Sequence, residues 1–214
     1  MFSVILNIAM LGVIIFLSLY FIHEHFLMGY CKELSDVDGK EHSVQCDYAD
    51  KEKAADLLAD LNISANQFIQ YLNGKYGKSG NEYSKLTKNL SGRYRGSSRL
   101  VETDPNNNSK DTSYTLDKGY LVSMCLRASK SKSKAKFHDL NTLRFVLLHE
   151  LTHIAADVVQ HPQRFWEVFK WILKEAVAAG IYQPVDYSKN PVHNYCDVMS
   201  IDYNPYYDST VKDI

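Results

Sequence analysis

The sequence predicts an α+β fold: a short antiparallel sheet with an amphipathic helix packed beneath it, a helical N-terminal addition and a single transmembrane helix. Three observations carry this reading. Apolar residues recur every three to four positions across residues 48–77, 143–158 and 165–176. Two β-rich stretches, residues 113–116 and 120–126, flank the turn signal Asp117-Lys118-Gly119. An uncharged apolar run fills residues 1–22. At 45% apolar and 23% charged residues the composition is that of a globular protein and excludes a disordered one. A formal net charge of −1 selects no class of partner, so any electrostatic recognition must be local.

The N-terminal run MFSVILNIAMLGVIIFLSLYFI carries no Asp, Glu, Lys, Arg or His. As a helix it reaches ~33 Å, enough to cross a hydrocarbon core of ~30 Å. Tyr20 and His23-Glu24-His25 follow as interface residues. A cleaved signal peptide fits less well, because no basic segment opens the run and no small-x-small site precedes Cys31. Residues 1–23 are therefore expected to lie in a lipid bilayer as a single-pass anchor. The side of the membrane stays open. Lys32 and Lys40 favour a cytoplasmic C-terminal side, whereas sequons at Asn62, Asn89 and Asn107 have meaning only in a lumen.

Residues 24–46 are expected to form a polar juxtamembrane stalk. Cys31 and Cys46 can bridge in an oxidising compartment, with unpaired buried thiols the open alternative for all four cysteines. The helical segment, residues 47–95, holds the stripe Ala54, Leu57, Leu58, Leu61, Ala65, Phe68, Ile69 and Leu72, with Gly74 and Gly77 as stops and a second short helix over 82–90. Residues 96–214 form the remaining domain. It contains a loop at 105–109, the predicted hairpin, a lysine-rich linker at 129–136 and two further helices. Asp139 or Asn141 caps the first of these, Pro162 opens the second and Gly180 ends it. Residues 181–214, rich in Tyr, Asn, Pro and Asp, are expected to wrap the surface as ordered loop.

The chemistry concentrates in LLHELTHIAADVVQHPQRFW, residues 147–166. His149 and His153 are four apart, so on a helix both rings leave one face, one turn apart. Two such imidazoles can share a tetrahedral Zn²⁺ at ~2.0–2.1 Å. Glu150 is rotated about 100° around the axis from His149, close to the ion without ligating it. Zinc lowers the pKa of a water to about 7, and a glutamate so placed takes its proton as it attacks a carbonyl. A third protein ligand is required. His161, Glu175 and His193 are the candidates, with His161 favoured because a short turn returns it toward the ion.

The stretch HELTH with His161 and the aromatic pair Phe165-Trp166 resembles the zincin metallopeptidases of the WLM and SprT-like group. Residues 119–127 resemble their substrate-side strand. Residues 186–191, Tyr195-Cys196 and 202–205 are similar to predicted metallopeptidases of large DNA viruses. The resemblance implies a zincin-like domain, His149, His153 and His161 as zinc ligands, Glu150 as base and a protein or peptide substrate. The gap between the second and third histidines is longer than in cellular WLM proteins.

Two weaker expectations complete the reading. Tyr195 is the chosen donor to the oxyanion of the tetrahedral intermediate. Lys130, Lys132, Lys134 and Lys136 form an acid-free run that can meet phosphate, although no aromatic interleaves them and a solvated loop is the simpler account. The function expected is a membrane-anchored zinc metallopeptidase. The alternative is a non-enzymatic structural or interaction protein of a viral membrane or capsid that keeps the fold.

Overall fold

The computed structural model describes residues 10–17, 29–104, 112–129, 131–133, 136–197 and 199–214. Among them run β1 (Tyr30–Leu34), β2 (Glu41–Gln45), α1 (Lys51–Tyr76), α2 (Glu82–Arg93), β3 (Leu100–Glu102), β4 (Tyr114–Leu116), β5 (Leu121–Met124), α3 (Leu140–Ala156), α4 (Gln163–Ala178), β6 (Val192–Tyr195) and β7 (Met199–Ile201). The first five strands form one sheet in the order β1-β2-β3-β5-β4.

The α+β class holds, but the sheet is mixed rather than antiparallel. β2 pairs β3 in parallel, and β3 pairs β5 in parallel. Parallel neighbours need a crossover. α1 and α2 supply the first, carrying the chain from β2 back into β3. The predicted hairpin is present: β4 pairs β5 antiparallel with Thr115 opposite Val122, and β4 takes the outer edge. Asp117 and Lys118 adopt left-handed backbone, and Gly119 has φ +106°. A Cβ on Gly119 would stand 3.0 Å from Ile154 Cδ1 and 3.2 Å from the Arg93 carbonyl oxygen, so glycine lets the hairpin turn lie directly on α3.

The segment expected as a stalk joins the sheet instead. β1 and β2 pair antiparallel, and Cys31–Cys46 staples them with a Cα–Cα distance of 5.0 Å. The expected N-terminal anchor lies mostly outside the described residues. Residues 10–17 are helical and exposed, and no described helix is long and apolar enough to cross a membrane. Of the sequons, Asn62 is buried in α1, and its side-chain oxygen accepts from Tyr94 and Asn66. Asn89 donates to the Ala155 carbonyl. Both amides are thus part of the packing. Asn107 lies outside the described residues.

The helices follow the apolar stripes. Ala54, Leu58, Leu61, Ala65, Phe68, Ile69 and Leu72 are buried along α1, each large one contributing roughly 1.5–3 kcal/mol of transfer free energy. The helix continues through Gly74 and ends at Gly77. Asp139 caps α3, accepting from the Thr142 amide at 3.0 Å and the Thr142 hydroxyl at 2.6 Å. One hydrophobic cluster runs from Val44 through α1, β5, α3 and α4 to Cys196, so the helical segment and the residues after it share a core. The tail is not all loop. β6 and β7 form a separate hairpin, tied to the end of β5 by Cys125–Cys196.

Candidate metal centre

α3 carries His149, Glu150 and His153, and its last turn sets the third histidine. Asp157 ends the helix with φ 60°, held by Arg93 and Lys118 at 2.9 Å each. The chain then reverses through residues 158–162 before α4 begins, which brings His161 back over α3. His149 and His161 face each other with Nε2 atoms 2.9 Å apart. Ligand nitrogens of His149, His153 and His161 all lie within 4.8 Å of one another. Three nitrogens on one tetrahedral zinc stand about 3.3 Å apart, so the cluster needs only small ring adjustments to meet that geometry.

The tautomers and charge states also fit. His153 Nδ1–H donates to the Val158 carbonyl at 2.9 Å, which leaves Nε2 with a free lone pair. Burial, reinforced by the neighbouring His153 and His161, holds the His149 pKa well below its usual value. Burial lowers His153 as well, against the opposing effect of the Val158 hydrogen bond, and it lowers His161. All three imidazoles are therefore neutral at pH 7, the form a metal ion requires. Phe165 lies beneath them, fully buried, with ring centroids 4.5 Å from His153, 4.6 Å from His161 and 4.8 Å from His149.

Glu150 is almost fully buried, and the Thr115 hydroxyl on β4 donates to its Oε2 at 2.9 Å. The sheet edge thus holds the carboxylate from the side opposite the helix. Two cavities meet at these residues. A cleft of about 850 Å³ opens between β4 and the 157–161 turn, lined by Thr115, His149, Glu150, His153 and His161. A smaller cavity of about 350 Å³ lies on the β6–β7 side and shares His149, Glu150 and His161.

The other candidates sit elsewhere. Glu175 binds Lys75 at 2.7 Å and the Tyr76 hydroxyl at 2.8 Å, and its hydrogen bond to the ammonium raises the Lys75 pKa. His193 is exposed on β6 and is not part of the described histidine group. Tyr195 is buried, and its hydroxyl donates to the Cys125 carbonyl at 3.0 Å with Ser113 Oγ also at 3.0 Å. It stands in the wall of the smaller cavity, with its one proton directed at that carbonyl just past the end of β5. Sequence reasoning missed Thr115, which carries no pattern beyond its place in the predicted hairpin. Lys132 pairs Asp47 at 2.8 Å, while Lys130 and Lys134 lie outside the described residues.

The WLM domain model matches residues 93–191. An uncharacterized protein of Acanthamoeba polyphaga mimivirus is 30% identical over 196 residues, covering 92% of this chain and 94% of that protein. The chain belongs to the WLM-type metallopeptidase family. It is also similar to the DNA-dependent metalloprotease WSS1 homolog 2 of Schizosaccharomyces pombe, at 34% identity over 86 residues, 38% of this chain and 29% of that protein. A crystal structure of a Wss1 mutant from S. pombe aligns over 69% of this chain and 97% of its own, with 22% identity and a TM-score of 0.39.

Proposed function

We propose that the chain is a zinc-dependent metallopeptidase that hydrolyses peptide bonds, with His149, His153 and His161 holding the ion and Glu150 acting as general base. The observation that carries the reading is the convergence of three neutral imidazoles beside a buried carboxylate fixed by Thr115. Zinc bound there would supply Lewis acidity, polarising a carbonyl and lowering the pKa of water toward about 7. Glu150 accepts the proton of the attacking water and passes it to the leaving amine. Phe165 excludes water from the inner side of the site. β4, whose outer edge is unpaired within the described sheet, offers backbone groups to an extended substrate beside Glu150.

The apolar run over residues 1–22, with its exposed helical stretch at 10–17, supports anchoring of this domain in a bilayer. Lys132 is already paired with Asp47, and a protein substrate accounts for the site without nucleic acid. The test is zinc content of the detergent-solubilised full chain beside His161→Ala and Glu175→Ala. About one zinc per chain, lost in His161→Ala and kept in Glu175→Ala, is expected. A folded, reconstituted chain that holds no zinc would sink the peptidase reading and leave the structural-protein alternative.

A further inference from the structure

We propose that the smaller cavity, between α3, α4 and the β6–β7 hairpin, is a specificity pocket that takes one large apolar side chain, aromatic or long aliphatic, next to the scissile bond. This rests on the peptidase reading and names its substrate class.

Position is the first argument. The cavity and the main cleft share His149, Glu150 and His161, so a chain lying in the cleft passes the mouth of the pocket at the reacting atoms. Composition is the second. Phe145, Phe169, Trp166, Met199 and Tyr203 form its walls. Apart from Glu150, the one carboxylate in its lining is Asp202, which is exposed. The lining holds no Lys or Arg to pair an acidic side chain, whereas an apolar one leaves water.

Size is the third argument. At about 350 Å³ the space is near the lower end of ligand pockets, roughly 300–1,000 Å³, which suits a single side chain rather than a run of peptide. The fourth is what stands uncovered. Met199 and Tyr203 are 48% and 38% exposed, large apolar groups on the hairpin side of the cavity. Tyr203 meets Trp166 edge-on at 5.3 Å, and Trp166 in turn lies 5.6 Å from His161. Methionine adapts to differently shaped occupants, which favours a class of side chains over a single residue.

The wall is preformed. The Cys125–Cys196 bridge, the Tyr195 hydrogen bond to the Cys125 carbonyl and the Thr112 hydroxyl contact to Met199 Sδ at 3.3 Å hold the hairpin against β5 and the segment before β4. The rim of the main cleft carries the charged groups Asp117, Lys118 and Asp157 instead, which suits the polar backbone of an extended chain more than an apolar side chain.

The experiment uses the full chain with Glu150→Gln, zinc added, and four fluorescein-labelled Gly/Ser-rich peptides that differ only in a central Phe, Leu, Ala or Asp. Anisotropy should show the Phe and Leu peptides binding at least about tenfold tighter than the Ala and Asp peptides. Met199→Lys should erase that preference and favour Asp, and Tyr203→Ala should weaken Phe selectively. Both variants are checked for native zinc content and circular dichroism. Equal affinities for the four peptides, no binding to any, or a Phe preference untouched by Met199→Lys overturn the pocket. Digestion of the same peptides by the unsubstituted chain separates the two claims: binding selectivity without cleavage refutes the peptidase reading and leaves the pocket standing.

Discussion

A carboxylate that acts as a base must point one way before the water arrives. Glu150 is set from below by α3 and from the side by Thr115. Removing that hydroxyl frees the carboxylate without touching the histidines. Thr115→Val should lower kcat roughly 3- to 10-fold with KM and zinc content unchanged, and Thr115→Ser should recover most of it. Glu150→Gln should cost about 10²- to 10⁴-fold in kcat while zinc stays bound. Steady-state kinetics beside metal analysis checks both. At this scale the sequence showed His149, Glu150, His153 and His161 because helical spacing and one return turn dictate their meeting. Thr115 was invisible because its partner lies 35 positions away, across a sheet edge. The partner of the Tyr195 hydroxyl was equally hidden, because the Cys125 carbonyl lies 70 positions away.

Elements with a strong local period were legible, and those completed by distant partners were not. α1, α3 and α4 follow their apolar stripes, and the β4–β5 hairpin follows its turn residues. β1 and β2, YCKEL and EHSVQ, are short and polar enough to pass for a stalk. Their place in the sheet comes from β3, on the far side of two helices. The β6–β7 hairpin hid because its turn uses Asn194, Cys196 and Asp197 at positive φ rather than glycine. Two predictions belong here. Gly119→Ala puts a Cβ against Ile154 at a positive φ, and should lower unfolding stability by about 1–3 kcal/mol in urea titration. Replacing Cys125 and Cys196 by serine together opens a long covalent loop and should cost about 2–5 kcal/mol by the same measurement, without loss of zinc.

For the whole molecule, the shared core makes stability a single quantity to which buried groups far from the metal contribute. His138 stacks on Tyr195 at 4.6 Å and accepts from the Cys196 amide at 3.3 Å, and burial pushes its pKa down to about 4 from 6.5. The unfolded chain therefore takes up a proton first. Stability is full above pH 6.5, falls as pH drops toward 4 and then levels, by roughly 3 kcal/mol at most. The metal-free histidine cluster leans the same way, so the test is a difference. Between pH 7 and 4.5 in EDTA, the urea midpoint of His138→Gln should fall less than that of the parent.

The three candidate ligands occupy only residues 149–161, one helix end and the turn after it. Closing so short a loop costs little chain entropy. The parallel pairing of Ser43 with Val101, and a pocket drawn from Thr112 to Tyr203, must wait for far longer closures. During synthesis these three histidines can thus meet in a nascent chain in which the wall of the smaller cavity does not yet exist. Under the proposed function, metal loading and selectivity would mature in that order.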